Sequence, residues 1–194
     1  MCMSDSPLRY RTPSTWADAV LNNLNEFLLD HAAAEKKASG MAISMLSHYP
    51  DRTELVSAMA DLAVEELTHY REVVKWIHRR GHITGADTKD PYVTEFRKSM
   101  RQGSEAYFMD RLLIASIIEA RGAERFGLVA EALEPGPLKQ FYVSIARSEE
   151  RHYELFLKLA NLYLDADEVQ ARWDELLDIE AAIVESLPIR SALH

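Results

Sequence analysis

Four long segments of the chain carry apolar or small residues at alternating steps of four and three positions. The second segment, for example, runs Leu55, Met59, Leu62, Glu66, His69, Val73 and Trp76. Residues spaced in this way return to the same side of an α-helix, and the resulting stripe is the seam along which helices pack in an antiparallel bundle. The pattern therefore predicts four core helices, whose seams begin at Leu24, Leu55, Phe108 and Leu138.

Each of the four seams is interrupted by a glutamate, and two of them also by a histidine three residues later. The six interrupting residues are Glu35, Glu66, His69, Glu119, Glu149 and His152. The two glutamates are 31 residues apart in the first pair of segments and 30 apart in the second pair. The chain therefore contains the same helical hairpin twice, with the same polar residues in the same order.

Glycine and proline are scarce, at seven each, and most of them lie between the periodic segments. The breaks are Pro50-Asp51, the polar stretch from Gly81 to Gly103, Pro135-Gly136-Pro137 and Pro188. The segments themselves are rich in Ala, Leu, Glu, Arg and Met, which favour helices, and none shows the alternation of a strand. These features predict an all-α fold.

The connection from Gly81 to Gly103 is long enough to cross from one end of a bundle to the other. Two similar hairpins joined by such a crossover form the ferritin-like type of four-helix bundle. A length of 194 residues suits one domain, so we predict a single ferritin-like domain over 1–194, with its core bundle at about 21–164. We also expect a short helix from Pro91 to Met100 and an accessory C-terminal helix at about 165–187.

The composition excludes several classes of protein. Apolar residues make up 47% of the chain, too many for general disorder. The single cysteine, Cys2, excludes a disulfide framework and any cysteine-based metal site. No run of about 18 apolar residues occurs, and the polar residues from Met1 to Arg11 lack the apolar core of a signal peptide. We therefore expect a cytoplasmic protein without a membrane span.

A carboxylate on the buried seam of a helix is costly unless a counter-charge compensates it. Two divalent cations would balance four glutamates, and mixed carboxylate and imidazole ligation suits iron or manganese. Ferritin-like carboxylate sites use such a set, with one Glu from each of two helices and a Glu-x-x-His from each of the others. This favours a metal centre over a metal-free bundle with buried ion pairs, which stabilise poorly. The predicted ligands are Glu35, Glu66, His69, Glu119, Glu149 and His152.

Other acidic and histidine residues near the seam fit the pattern less well. Glu65, Glu124 and Glu150 lie off the seam and rank below their neighbours Glu66, Glu119 and Glu149 as ligands. His31 lies one turn before Glu35. We interpret it as a seam histidine or a hydrogen-bonding neighbour of a ligand, rather than as a ligand itself.

A di-iron site in such a bundle supports several functions, and the fold does not choose among them. It can oxidise and store iron, scavenge peroxide, or activate dioxygen to hydroxylate a small lipophilic substrate such as a quinone. Small residues, among them Ala38 and Gly122, lie close to the predicted ligands. Close helix packing and room for substrate or oxygen both explain them, so these alternatives stay open on the residues alone.

Two stretches around the predicted ligands resemble a known family. DHAAAEKKA (residues 30–38) and IEARGAERF (residues 118–126) are similar to motifs of the tRNA 2-methylthio-N6-isopentenyladenosine hydroxylases, and the resemblance extends over about 21–164. It implies a non-haem di-iron monooxygenase that hydroxylates the isopentenyl group of the modified adenosine next to the anticodon. Dioxygen would be the co-substrate, a separate reductase would supply two electrons, and the six residues above would bind the two iron ions.

The charge of the chain is unevenly distributed, which bears on a tRNA partner. The formal net charge is −9, yet from Arg71 to Arg101 eight basic residues outnumber four acidic ones. From Glu149 to Glu185, eleven acidic residues face three basic ones. A basic crossover could contact the phosphates of an anticodon stem-loop. The predicted tRNA-binding residues are Arg71, Lys75, Arg79, Arg80, Arg97, Lys98 and Arg101. Alternatively, the basic residues near Arg79 only complement the C-terminal end of a helix.

Overall fold

The computed structural model describes residues 6–194, which form seven α-helices. They are α1 (Ser14–Asn22), α2 (Leu24–His48), α3 (Thr53–Arg79), α4 (Pro91–Arg97), α5 (Ser104–Ala132), α6 (Pro137–Tyr163) and α7 (Ala166–Ser186). No β-strand occurs within residues 6–194, so the all-α prediction is confirmed for this part of the chain. Cys2 lies outside the described residues.

The four predicted seams lie on the four longest helices, α2, α3, α5 and α6. The expected accessory helix is α7, and the short helix that begins at Pro91 ends at Arg97 rather than at Met100. None of the helices in residues 6–194 combines the length and the apolar character that a bilayer span requires.

A short helix, α1, precedes the first seam and is separated from α2 at Asn23, one residue before that seam begins at Leu24. Asn23 leaves the helical region, with φ −133° and ψ 44°. Its side-chain amide donates a hydrogen bond to the carbonyl oxygen of Ala19 over 3.2 Å. Asparagine competes in this way with the hydrogen bonds of the helix, which explains why the helix stops here.

Aspartates cap two of the later helices. The Asp90 carboxylate accepts a hydrogen bond from the amide of Val93 over 3.2 Å, and Pro91 occupies the first turn of α4. The Asp165 carboxylate accepts from the amides of Asp167 and Glu168 at the start of α7. In both cases the side chain satisfies amides that have no partner within the helix.

The chain divides into two compact units. The first, here called the α2–α3 unit, consists of Ala19–Thr88 and Arg190–Leu193. Its two long helices pack along their length, and the buried hydroxyl of Ser39 donates to the carbonyl oxygen of Ala63 over 2.8 Å. The prediction of a single domain over 1–194 stays a prediction.

The second unit, here called the α5–α6 unit, consists of the residues up to Asp18, Lys89–Ile189 and His194. Helix α6 packs along α5, and α4 and α7 contact α5 as well. Residues on nearly every side of α5 are therefore buried, including the charged side chains of Asp110 and Arg121. The predicted seam accounts for only one of these sides.

Candidate metal centre

Three of the predicted ligands form a cluster inside the α2–α3 unit. Glu35 on α2 and Glu66 on α3 are buried, with 4% and 1% of their surfaces exposed, and the His69 side chain is 13% exposed. His69 Nδ1 lies 3.5 Å from Glu35 Oε2 and 3.6 Å from Glu66 Oε2. One donor atom from each residue lies within 4.8 Å of the others. Because Glu66 and His69 are three residues apart, α3 presents both on the same side.

His31 is the immediate neighbour of this cluster. Its ring is fully buried, and Nε2 lies 2.5 Å from Glu35 Oε1, one helical turn away. The pKa of His31 is lowered to about 3, mainly by burial and also by the charge of His69, against the opposing effect of Glu66. His31 is therefore neutral near pH 7, and its Nε2–H donates to the Glu35 carboxylate. The sequence interpretation of His31 named this role as one of two possibilities.

The α5–α6 unit holds the other three predicted ligands. Glu119 on α5, and Glu149 and His152 on α6, are all buried. One donor atom from each lies within 4.8 Å of the others, and His152 Nδ1 lies 3.3 Å from Glu149 Oε2. Gly122 faces this cluster, since a Cβ atom added there would lie 3.8 Å from Glu149 Cγ.

The off-seam carboxylates have other surroundings. Glu150 is exposed, and the Glu65 side chain is 40% exposed, with Oε1 3.9 Å from His69 Nε2. Glu124 is buried, but its carboxylate accepts hydrogen bonds from Arg121 and from both the amide and the hydroxyl of Thr12. Its charge is already compensated within the α5–α6 unit.

The donor chemistry of the two clusters fits iron. Each cluster offers two carboxylates and one imidazole, which are the ligand types that iron and manganese share in bundle proteins. Four buried carboxylates also need positive charge nearby. The buried carboxylate and histidine clusters therefore fit a di-iron site.

The predicted tRNA-binding residues on α3 are all exposed, but most interact with neighbours. Lys75 Nζ lies 2.6 Å from Glu72 Oε1, and Arg71 Nε lies 3.4 Å from the same oxygen. The Arg79 guanidinium stacks over Trp76, 5.0 Å from the ring centroid. Arg80, just after the helix, donates to the Asn25 side chain over 2.5 Å. None of these contacts removes the side chain from solvent.

The three predicted tRNA-binding residues in the α5–α6 unit differ in how strongly the fold holds them. Arg97 is exposed, and exposed Lys98 pairs with Glu95 over 2.7 Å. Arg101 instead donates from its amide and guanidinium to the fully buried Asp110, which Arg172 also contacts. Arg101 therefore has a structural partner that its position in a basic stretch did not reveal. Helical spacing gives no signal of this pair, because Arg101 lies nine residues before Asp110 and outside the helix that carries it.

The fold and the donor set together define a class of protein. A comparison with solved structures supports the same class. The chain is similar to "Protein 43 with aldehyde deformylating oxygenase activity from Synechococcus", with a TM-score of 0.90 and 29% sequence identity. The similarity covers 96% of this chain and 94% of that protein. The prediction of a ferritin-like fold is therefore confirmed, and the class is that of the ferritin-like di-iron proteins.

Comparison with protein families identifies the family within this class. Residues 2–194 match the family described as tRNA-(MS[2]IO[6]A)-hydroxylase (MiaE), and this chain belongs to that family. Two relatives carry the name tRNA 2-(methylsulfanyl)-N(6)-isopentenyladenosine(37) hydroxylase. The one from Pseudomonas putida is 34% identical over 173 residues, covering 89% of this chain and 83% of the relative. The one from Salmonella typhimurium is 29% identical over 185 residues, covering 91% and 67%. The family that the sequence predicted is therefore confirmed.

Proposed function

We propose that this chain is a di-iron, dioxygen-dependent tRNA hydroxylase. Its substrate is the isopentenyl group of 2-methylthio-N6-isopentenyladenosine next to the anticodon. The observation that carries the proposal is a buried carboxylate and histidine cluster in each helical hairpin of a chain that matches the hydroxylase family over residues 2–194. Family membership supplies the substrate class, and the clusters supply the means to hold the metal.

Glu35, Glu66, His69, Glu119, Glu149 and His152 would hold two iron ions. The four carboxylates carry a charge that two Fe²⁺ ions balance, and the two neutral imidazoles complete the donor set. When bound, the iron pair supplies the oxidising power for inserting an oxygen atom from dioxygen into a C–H bond, with electrons from an external reductase. The chain itself needs no nucleophile. Its residues bind and orient the metal and substrate and keep bulk water out, a role to which the burial of the ligands is suited.

The tRNA would be held through its phosphates by the exposed basic residues of the predicted set. Phosphate contacts of this kind supply affinity and position without reading sequence. Arg71, Lys75, Arg79 and Arg80 in the α2–α3 unit, and Arg97 and Lys98 in the α5–α6 unit, are accessible for this role. Arg101 would contribute less, because its guanidinium is engaged by Asp110. Because tRNA is found inside the cell, we also propose a cytoplasmic location.

Iron storage, peroxide scavenging and quinone hydroxylation would use the same donor set. Family membership and the exposed basic side chains favour tRNA over these alternatives.

The test is to incubate the iron-loaded, chemically reduced protein with tRNA that carries the isopentenyl modification, in the presence of dioxygen. The nucleosides are then analysed by mass spectrometry. The modified adenosine should gain the mass of one oxygen atom, and an anaerobic sample should show no gain. An unchanged nucleoside together with activity of the same protein on a quinone would overturn the proposal.

A further inference from the structure

The two carboxylate oxygens of Glu35 face two different histidines. Oε1 lies 2.5 Å from His31 Nε2, and Oε2 lies 3.5 Å from His69 Nδ1. All three residues belong to the α2–α3 unit. The carboxylate is thus oriented with one oxygen toward a histidine of its own helix and the other toward a predicted ligand.

The contact between His31 and Glu35 is a strong hydrogen bond. An ionised carboxylate can only accept, so the proton lies on the imidazole nitrogen, and a bond to a charged acceptor is stronger than a neutral one. The His31 ring is fully buried, with its centroid 6.1 Å from that of Phe27. A buried ring one turn from Glu35 has little freedom to move away, so the bond holds Oε1 in place.

We propose that His31 is a positioning residue for the metal centre. By holding Oε1, it presents Oε2 of Glu35 as the oxygen that binds iron and fixes the orientation of the carboxylate. This role rests on the proposed function, since it requires that Glu35 be a metal ligand. Hydrogen-bonding partners of ligands commonly change metal affinity by about 10–100-fold when they are removed.

The repeated hairpin lacks a counterpart to His31. The position four residues before Glu119 is Ala115, which is buried and has a methyl side chain that cannot donate a hydrogen bond. The two halves of the repeat therefore differ at this position, although their ligand types are the same. The inference is that Glu35 is held by a donor one turn earlier on its own helix, at a position where α5 carries an alanine.

Substitution of His31 separates this role from a purely structural one. His31→Leu removes the donor, and His31→Met does so with a side chain that adapts to irregular space. His31→Gln keeps an N–H at similar reach. Ser39→Ala is the matched control, because Ser39 is also buried on α2, one turn beyond Glu35, and donates to the Ala63 carbonyl rather than to a ligand.

The measurement is a Co²⁺ titration of each apoprotein, followed by the ligand-field absorption, with thermal unfolding of the same apoproteins recorded in parallel. His31→Leu and His31→Met should bind Co²⁺ about 10–100-fold more weakly than the wild type and show a shifted spectrum. His31→Gln should largely restore both, and Ser39→Ala should match the wild type in affinity and spectrum.

Two results would contradict the proposal in distinguishable ways. If the wild type binds two Co²⁺ ions and the folded donor-free variants bind them with the same affinity and spectrum, the positioning role is wrong and the proposed function stands. If the wild type binds no Co²⁺ or Fe²⁺, the proposed function fails, and the role of His31 fails with it.

Discussion

Arg121 and Glu180 form a doubly hydrogen-bonded ion pair in the interior of the α5–α6 unit. Arg121 Nε lies 2.8 Å from Glu180 Oε1, Nη2 lies 2.9 Å from Oε2, and both side chains are fully buried. The Tyr92 hydroxyl also donates to Glu180, and Arg121 donates to the Tyr10 carbonyl. The pair thus connects α5 to α7, α4 and the N-terminal segment.

Loss of the arginine should strongly destabilise this unit. Arg121→Met leaves the buried Glu180 carboxylate without its counter-charge, and we expect the free energy of unfolding to fall by about 3–5 kcal/mol. Urea denaturation measures this value. The matched control is Arg9→Ala, which removes an exposed arginine paired with Asp174 on the same helix α7 and should have almost no effect. Equal losses in the two variants would contradict the assignment of the large effect to burial.

Asp90 predicts a dependence of stability on acidic pH. Burial by itself would raise the pKa of Asp90, but the hydrogen bond and charge of His194 and the amides of Val93 and Tyr92 outweigh it and lower the pKa to about 2. A lowered folded-state pKa stabilises the fold above the unfolded-state value, near 4, and this contribution is lost as the pH falls through 2.

The variant Asp90→Asn isolates this contribution, because asparagine can still cap α4. The wild type should be more stable than the variant by about 1–2 kcal/mol at pH 5. The difference should shrink steadily between pH 4 and pH 2. Denaturant unfolding of both proteins across this range is the measurement, and a difference that stays constant with pH would show that the Asp90 charge contributes nothing.

The ligand assignment predicts opposite outcomes for two adjacent residues. Glu149→Ala removes a buried predicted ligand and should abolish most of the iron content, expected at about two ions per chain in the wild type. Glu150→Ala removes an exposed carboxylate one position along α6 and should leave the iron content unchanged. Iron is quantified by atomic emission after removal of excess metal. Full retention of iron by Glu149→Ala would mean that the seam was misassigned.

The exposed basic residues predict the salt dependence of tRNA binding. Arg97→Ala should weaken binding and reduce the slope of log affinity against log salt concentration by about 1, because one phosphate contact is lost. Lys158→Ala is the control, since Lys158 is also exposed but lies in the acidic part of the chain. Binding is followed by fluorescence anisotropy at several salt concentrations. Identical slopes for wild type and Arg97→Ala would exclude Arg97 from the interface.

The sequence alone determined the helical class and the six candidate ligands, because both depend on local spacing. A step of three or four residues places side chains on one face of a helix wherever that helix lies. The same spacing places His69 beside Glu66, and His31 one turn from Glu35. Which way the Glu35 carboxylate turns is a rotamer choice that depends on packing, so the spacing left two roles open for His31, and the short contact with Glu35 in the structure decided between them.

Only the tertiary structure decided which charged residues support the fold. Arg121 and Glu180 are 59 residues apart, and Asp110 and Arg172 are 62 apart. Helical periodicity carries no information about partners at such separations. The sequence shows Arg101 only as part of a basic stretch, whereas in the fold it forms an ion pair with the buried Asp110. The physical reason is that a buried charge must be compensated by whichever residues packing brings beside it, and that choice is made by the whole fold.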